Sequence, residues 1–194
     1  MTATDHAEGA TPPAVRLLDA EDAPLLARPY FAEGLPSPIT RSLAHVPELL
    51  DSTLSFVGAA LGASALDERT KEIVILRASA VMECRYCVAT HSVVALDCGL
   101  TADEVAALRA GSIGSAFAGE RDRALIAWTD AVAAGRGGVA TACLNALGEH
   151  FDEPAVVELT LVAAATLMLN RYASALGLPP AQATLARLRE EGLA

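Results

Sequence analysis

Residues 68–87, ERTKEIVILRASAVMECRYC, and residues 154–173, PAVVELTLVAAATLMLNRYA, fall on one another when the chain is shifted by 86 positions. Glu72 lands on Glu158, Met82 on Met168, and Arg85-Tyr86 on Arg171-Tyr172, with the apolar runs between them in register. Neither stretch alternates with the period of two that a half-buried strand requires, and alanine favours helix. The match implies two copies of one helical unit, about 67–91 and 153–177, packed against each other. The fold class is therefore all-α. The copies differ at three places: Asn170 stands for Cys84, Ala173 for Cys87 and Gly177 for His91. Shared residues are candidates for scaffold, and residues confined to the first copy are candidates for chemistry.

Outward from the repeat, helix signals continue. Pro47 to Leu61 carries Leu50, Leu54, Val57 and Leu61 at the three-and-four spacing of a buried stripe. Ser64 with Asp67 reads as a capping box opening a helix that runs to about Val81, and another spans about Cys84 to Gly99. Thr101 with Glu104 opens a short helix to Ala110. Arg121 to Ala134 follows, stopped by Gly135, Gly137 and Gly138. Thr141 to His150, Asp152 to Leu176 and Ala181 to Glu191 complete the series. Residues 1–14 show no apolar period and read as a loose tail. From Val15 to Pro38 the prolines at 24, 29, 36 and 38 predict an irregular arm or short turns, packed on the body or on a neighbouring subunit. Residues 15–194 are expected to form a single domain.

The chain has 194 residues, 53% of them hydrophobic, which suits one core of ordinary size. Its formal net charge of -10 and isoelectric point near 4.8 disfavour binding to nucleic acid or an anionic bilayer. Mean hydropathy is +0.37, yet the longest uncharged apolar run, Leu159 to Leu169, is short of the ~20 residues that span a membrane. The opening residues MTATDHAEGA carry neither a basic nor an apolar leader region, so a cytoplasmic protein is expected. No GxGxxG follows a strand and no P-loop is present, so no nucleotide cofactor is expected.

In a reducing compartment cysteines are poor staples, which gives Cys84, Cys87, Cys98 and Cys143 a different meaning. Cys84, Cys87 and His91 stand in ECRYCVATHS. At ~100° per residue Cys84 and Cys87 lie ~60° apart and Cys87 and His91 ~40° apart, so all three share one helix face. A helix starting near Cys84 offers free N–H groups and the positive end of its dipole to a thiolate. A nearby imidazole can take the proton from Cys87, and the thiolate is the nucleophilic form. Three uses fit these residues: apolar packing, zinc binding and thiol redox chemistry. Packing leaves His91 without a task. A structural zinc takes four ligands, whereas no second CxxC or HxxxH exists and Cys98, Cys143, His45 and His150 are scattered. Cys98 and Cys143 read as core fillers. Glu72 stands on the preceding helix, where an antiparallel return would bring it either to His91 as a relay or to solvent as an ordinary surface carboxylate.

Glu72, eleven residues, Cys84-x-x-Cys87-x-x-x-His91 and a further helix resemble the alkylhydroperoxidase D / carboxymuconolactone decarboxylase family, together with HVPELL and ELTLVAAATLMLNRYASALGLP. The resemblance implies an all-α AhpD-like fold that commonly assembles as a homotrimer or homohexamer. It implies a peroxidase: Cys87 as the thiolate oxidised by a hydroperoxide, Cys84 resolving it to a disulfide, and Glu72 with His91 as a proton relay. It further implies an external thiol reductant, a lipoylated carrier protein being the family precedent. One position departs: the alkylhydroperoxidase has a histidine directly before the second cysteine, and here Tyr86 stands there. Two other readings stay open. One is a cofactor-free lactone-acid decarboxylase or isomerase using His91 and Glu72, with Arg77 or Arg85 for an anionic substrate. The other is a non-catalytic oligomeric module that senses redox state.

Overall fold

The computed structural model describes residues 12–135 and 137–194; positions 1–11, most of the expected tail, lie outside the described residues. Pro13 and Ala14, the tail's expected end, lie on the body, where the Ala14 N–H donates to the Leu176 carbonyl at 2.9 Å. Among the described residues there are nine α-helices, one 3-10 turn and no strands.

The expected arm holds short turns, as its prolines suggested, and ends where a helix begins. A 3-10 turn occupies Arg28–Phe31, and helix α1 spans Pro38–Leu43. Pro38 starts α1 because proline at the first helical position gives up an N–H that would be unpaired anyway. Ser37 caps the helix by accepting the Thr40 N–H at 3.2 Å. Helix α2, Pro47–Leu61, has the expected limits, with Leu50 fully buried and the rest of its stripe half-buried.

Helix α3, Glu68–Val81, is the centre of the molecule. It packs against α4 (Arg85–Asp97), α5 (Ala102–Ala110), α6 (Glu120–Ala133) and α8 (Glu153–Leu176). Every residue from Thr70 to Leu76 is buried, so α3 has no solvent face. Its cap corrects the sequence reading: Asp67 itself is the N-cap, accepting the Thr70 N–H at 2.8 Å. Ser64 lies outside the helix and bonds to the Leu66 N–H and to Glu158. The Thr101–Glu104 capping box forms as expected. Helices α7, Thr141–Gly148, and α9, Gln182–Glu190, complete the body. A core of aliphatic side chains around the fully buried Trp128 joins α3, α5, α6, α7 and α8.

Helix α8 is long and apolar enough to cross a bilayer by length and composition, a property the shorter uncharged run did not reveal. One of its faces is committed to the body: Leu159, Val162, Ala163, Leu169 and Ala173 are buried. The opposite face leaves Val157, Leu161 and Met168 exposed.

The two repeated segments do pack together, α3 and α4 both lying on α8, but they are not two copies of one structure. The first breaks between Val81 and Arg85, whereas the second runs unbroken through the matching positions. The break is a helix closure in which the Cys84 N–H returns to the Ser79 carbonyl at 3.1 Å. It puts Glu83 at φ 54, the only non-glycine residue at positive φ among the described residues, a conformation costing roughly 1–2 kcal/mol. In α8 that position is Leu169, buried in the core, and helix continues. Closure comes at Gly177 (φ 61) instead, with the Leu178 N–H on the Ala173 carbonyl.

Candidate active site

The break at Glu83 makes Cys84 the N-cap of α4 and sets Cys87 and His91 on the helix's first two turns. Cys84 is 1% and Cys87 4% exposed, and both thiols are free. The two sulfurs lie 2.7 Å apart, and the Cys87 N–H points at the Cys84 sulfur from 3.4 Å. A disulfide of about 2.05 Å is a short approach away.

Electrostatics separates the pair. Cys84 is pulled down to about 6, first by the hydrogen bond from the Cys87 thiol. The Cys87 backbone N–H, the Ser174 hydroxyl and the charge of His91 add to this, against the opposing effect of burial. Cys87 is pushed strongly up, first because its thiol donates to Cys84, then by burial and by the neighbouring thiolate. The pair thus shares one proton, held on Cys87, with the negative charge on the capping sulfur. Local electrostatics therefore favours Cys84 as the thiolate, whereas the sequence resemblance implies Cys87.

Glu72 is not a solvated surface carboxylate. It is 6% exposed and faces His91, with Oε2 at 3.0 Å and Oε1 at 3.3 Å from Nδ1. An ionised Glu72 accepts from Nδ1–H, which leaves Nε2 as the basic nitrogen. The antiparallel packing of α3 on α4 brings these groups together from nineteen residues apart. The counterpart in the second segment does different work. Glu158 pairs at 2.8 Å with the ammonium of Lys71, which is 1% exposed and also donates to the Ala60 and Gly62 carbonyls at the end of α2.

The remaining candidates fall into place around this centre. Tyr86 is buried, its hydroxyl turned toward Ser37 and Thr90; burial first, then the charges of Cys87 and Cys84, push its ionisation up. Tyr172 likewise meets the Ser42 hydroxyl at 3.0 Å. Both repeated tyrosines thus hold α1, and Leu17 of the arm and Ile39 of α1 pack over the cysteine cluster. Cys98 is half-buried beside Glu68, and burial with the charges of Glu72, Glu68 and Asp97 keeps it protonated. Cys143 packs on the main core. Arg77, one candidate for an anionic substrate, is taken up by Asp130 and the Leu108 carbonyl, whereas Arg85 has no ion pair among the described residues. Among the described residues no three His, Cys, Asp or Glu side chains gather as metal ligands.

A cavity of about 340 Å³ opens at the α4 N-terminus, lined by Cys84, Arg85, Tyr86, Ser174, Leu178 and Pro180 among others. Cys84 forms part of its wall and Cys87 does not. Sequence reasoning missed Ser174; its one signal is its place directly after Ala173, the residue matching Cys87 in the second segment.

Fold and site together define a helical protein with a buried CxxC pair beside a Glu–His pair. Residues 47–131, a little under half of the chain, match the carboxymuconolactone decarboxylase family. It is similar in structure to an uncharacterized peroxidase-related protein of Ralstonia eutropha with an alkylhydroperoxidase AhpD core, at 20% identity and TM-score 0.78, covering 91% of this chain and 96% of that one. A peroxidase-related protein of Silicibacter sp. shares 19% identity, TM-score 0.78, and covers 92% and 97%. The debrominase Bmp8 in complex with 2,3,4-tribromopyrrole shares 20% identity, TM-score 0.77, and covers 94% and 100%. At these identities the likenesses show the fold. No curated protein matches the chain in sequence. The AhpD-like all-α fold expected from the sequence is the observed one.

Proposed function

We propose that the protein is a thiol-dependent peroxidase that reduces hydroperoxides through a Cys84–Cys87 dithiol–disulfide cycle. The observation that carries the reading is the capping Cys84 sulfur, depressed to about 6, facing a cavity with Cys87 2.7 Å behind it. In the first step the Cys84 thiolate attacks a hydroperoxide oxygen. The S–O bond forms, the O–O bond breaks and the leaving alkoxide takes a proton from water, a transfer assigned to the His91–Glu72 pair as relay. The resulting sulfenic acid then condenses with the Cys87 thiol, releasing water and forming the disulfide. An external dithiol returns two electrons and two protons; the family resemblance suggests a lipoylated carrier for that role. The exposed apolar face of α8 supports a homo-oligomer, which light scattering of the purified protein measures directly.

The unpaired Arg85 and the Glu72–His91 pair give a second reading some support, cofactor-free decarboxylation or isomerisation of a lactone acid. That reading leaves the paired thiols without a task. The test is to mix reduced protein with cumene hydroperoxide and count free thiols. Rapid loss of Cys84 and Cys87, with Cys98 and Cys143 retained, supports the peroxidase. If the pair stays reduced in folded protein, the proposal fails. Lactone turnover that survives Cys84→Ser but not His91→Ala would favour the second reading. A slow disulfide that changes only assembly would mark a redox sensor.

A further inference from the structure

We infer that the Cys84 cavity and the cavity beside it form one binding site for a small amphipathic organic anion, an apolar body carrying a carboxylate. The second cavity, about 410 Å³, lies between α4 and α9 and has an apolar floor of Val88, Leu185, Leu188 and Leu193. Arg85, Arg109 and Arg189 stand around that floor. Arg85, Glu83 and Pro180 line both cavities, so the two share a wall. Sizes of this order, with apolar lining and few charged groups, are typical of small-ligand sites.

The charges identify the ligand class. The chain holds 14 basic against 24 acidic side chains, yet three arginines gather on this one apolar surface. Arg109 is braced by the Leu193 carbonyl. Arg85 and Arg189 have neither an ion pair nor a side-chain hydrogen bond among the described residues. Glu83 is the one acidic side chain in either wall, and it forms no ion pair there. Guanidinium groups beside an aliphatic floor are complementary to a carboxylate on an apolar chain. A neutral apolar molecule leaves them unused. The carboxylate then meets Arg109 and Arg189 at the far rim, the chain lies on the leucines, and the reacting end passes Arg85 toward Cys84. This deepens the peroxidase reading by naming its substrate class, a carboxylate-bearing organic hydroperoxide, but the binding step is independent of the redox step.

Calorimetric titration of the reduced protein with octanoate and with octan-1-ol tests the site without chemistry. Octanoate should bind more tightly than the alcohol, its affinity should fall with added salt, and Arg189→Gln should weaken it about tenfold, as loss of one charge-assisted hydrogen bond does. Arg85→Gln should act in the same direction; both side chains are exposed, so the variants fold. Equal binding of acid and alcohol, no octanoate binding, or unchanged affinity in both variants overturns the site. Should octanoate bind as expected while neither cumene hydroperoxide nor a fatty-acid hydroperoxide oxidises Cys84, the site stands and the peroxidase reading falls.

Discussion

Two segments of near-identical pattern, 68–91 and 154–177, face each other across the core and have opposite duties. The first is bent: Glu83 in a left-handed conformation stops α3, and Cys84 is left as a cap with its sulfur at a cavity wall. The second is straight, and at the same alignment position its Asn170 is buried, accepting a hydrogen bond from Ser79. The carboxylates diverge in the same way. Glu72 orients a histidine, whereas Glu158 neutralises a buried lysine. In the proposed function, chemistry thus follows the break in the helix as much as the residue types, because the break supplies unpaired N–H groups, a cavity and a dipole end together.

The largest effects should come from removing what only the first segment has. Cys84→Ala is expected to lower hydroperoxide-dependent oxidation by about a thousandfold or more, as loss of a nucleophile does. Retained oxidation at Cys87 in that variant would reverse the assignment of the two thiols. Next, Cys87→Ala removes the thiol donor that most depresses Cys84. Thiolate absorbance should then appear with a midpoint moving up from about 6 toward the ordinary ~8.5, reducing the thiolate population at pH 7 by roughly thirtyfold. The sign is fixed: in the unaltered protein the thiolate is present above about 6 and lost as pH falls through it. A midpoint unmoved by Cys87→Ala would show that the helix end alone tunes Cys84.

Much of this was legible in the sequence, for identifiable reasons. Helix limits were readable wherever a cap or a glycine marks them, as at Thr101, Asp152 and Gly177. The four candidate site residues Glu72, Cys84, Cys87 and His91 stand out because the repeat supplies an internal control in which the last three are absent. The bend at Glu83 was not legible, since an exposed glutamate at positive φ has no local signature; the helix closure around it, with the Cys84 N–H on the Ser79 carbonyl, appears only in the structure. Nor was Glu158's partner: Lys71 looks like a surface lysine until α2 ends against it. Arg85 and Arg77 look alike in the sequence, and only the position of Asp130 on α6 separates them.

The carboxylates allow a paired test of intermediate size. Glu72→Gln keeps a hydrogen-bonding group beside His91 but removes its charge, and should slow oxidation by about ten- to a hundredfold with little loss of stability. Glu158→Ala should leave the rate unchanged and instead lower stability, because it strips the carboxylate from a fully buried ammonium. Breaking a buried pair costs about 3–5 kcal/mol; Glu158 is a quarter exposed, and Lys71 keeps two carbonyl acceptors, so about 2–3 kcal/mol is expected. That corresponds to a melting temperature lower by roughly 5–10 °C. A rate loss in Glu158→Ala, or none in Glu72→Gln, would erase the distinction between the segments.

The smallest effects should come from residues the segments share. Tyr86 sits between the cysteines, where a proton-relaying histidine would make it catalytic, yet its hydroxyl is turned to Ser37 just as Tyr172 is turned to Ser42. Burial first, then the charge of the cysteine pair, holds Tyr86 protonated, so it is a poor shuttle at neutral pH. Tyr86→Phe and Tyr172→Phe should therefore behave alike. Each should cost about 1 kcal/mol, the usual worth of one hydrogen bond, by loosening α1, and each should leave oxidation within about twofold. Denaturant unfolding and stopped-flow thiol oxidation measure the two quantities separately. A rate loss confined to Tyr86→Phe, with Tyr172→Phe normal, would mean that the residue before Cys87 carries protons after all, and that the shared positions are not scaffold throughout.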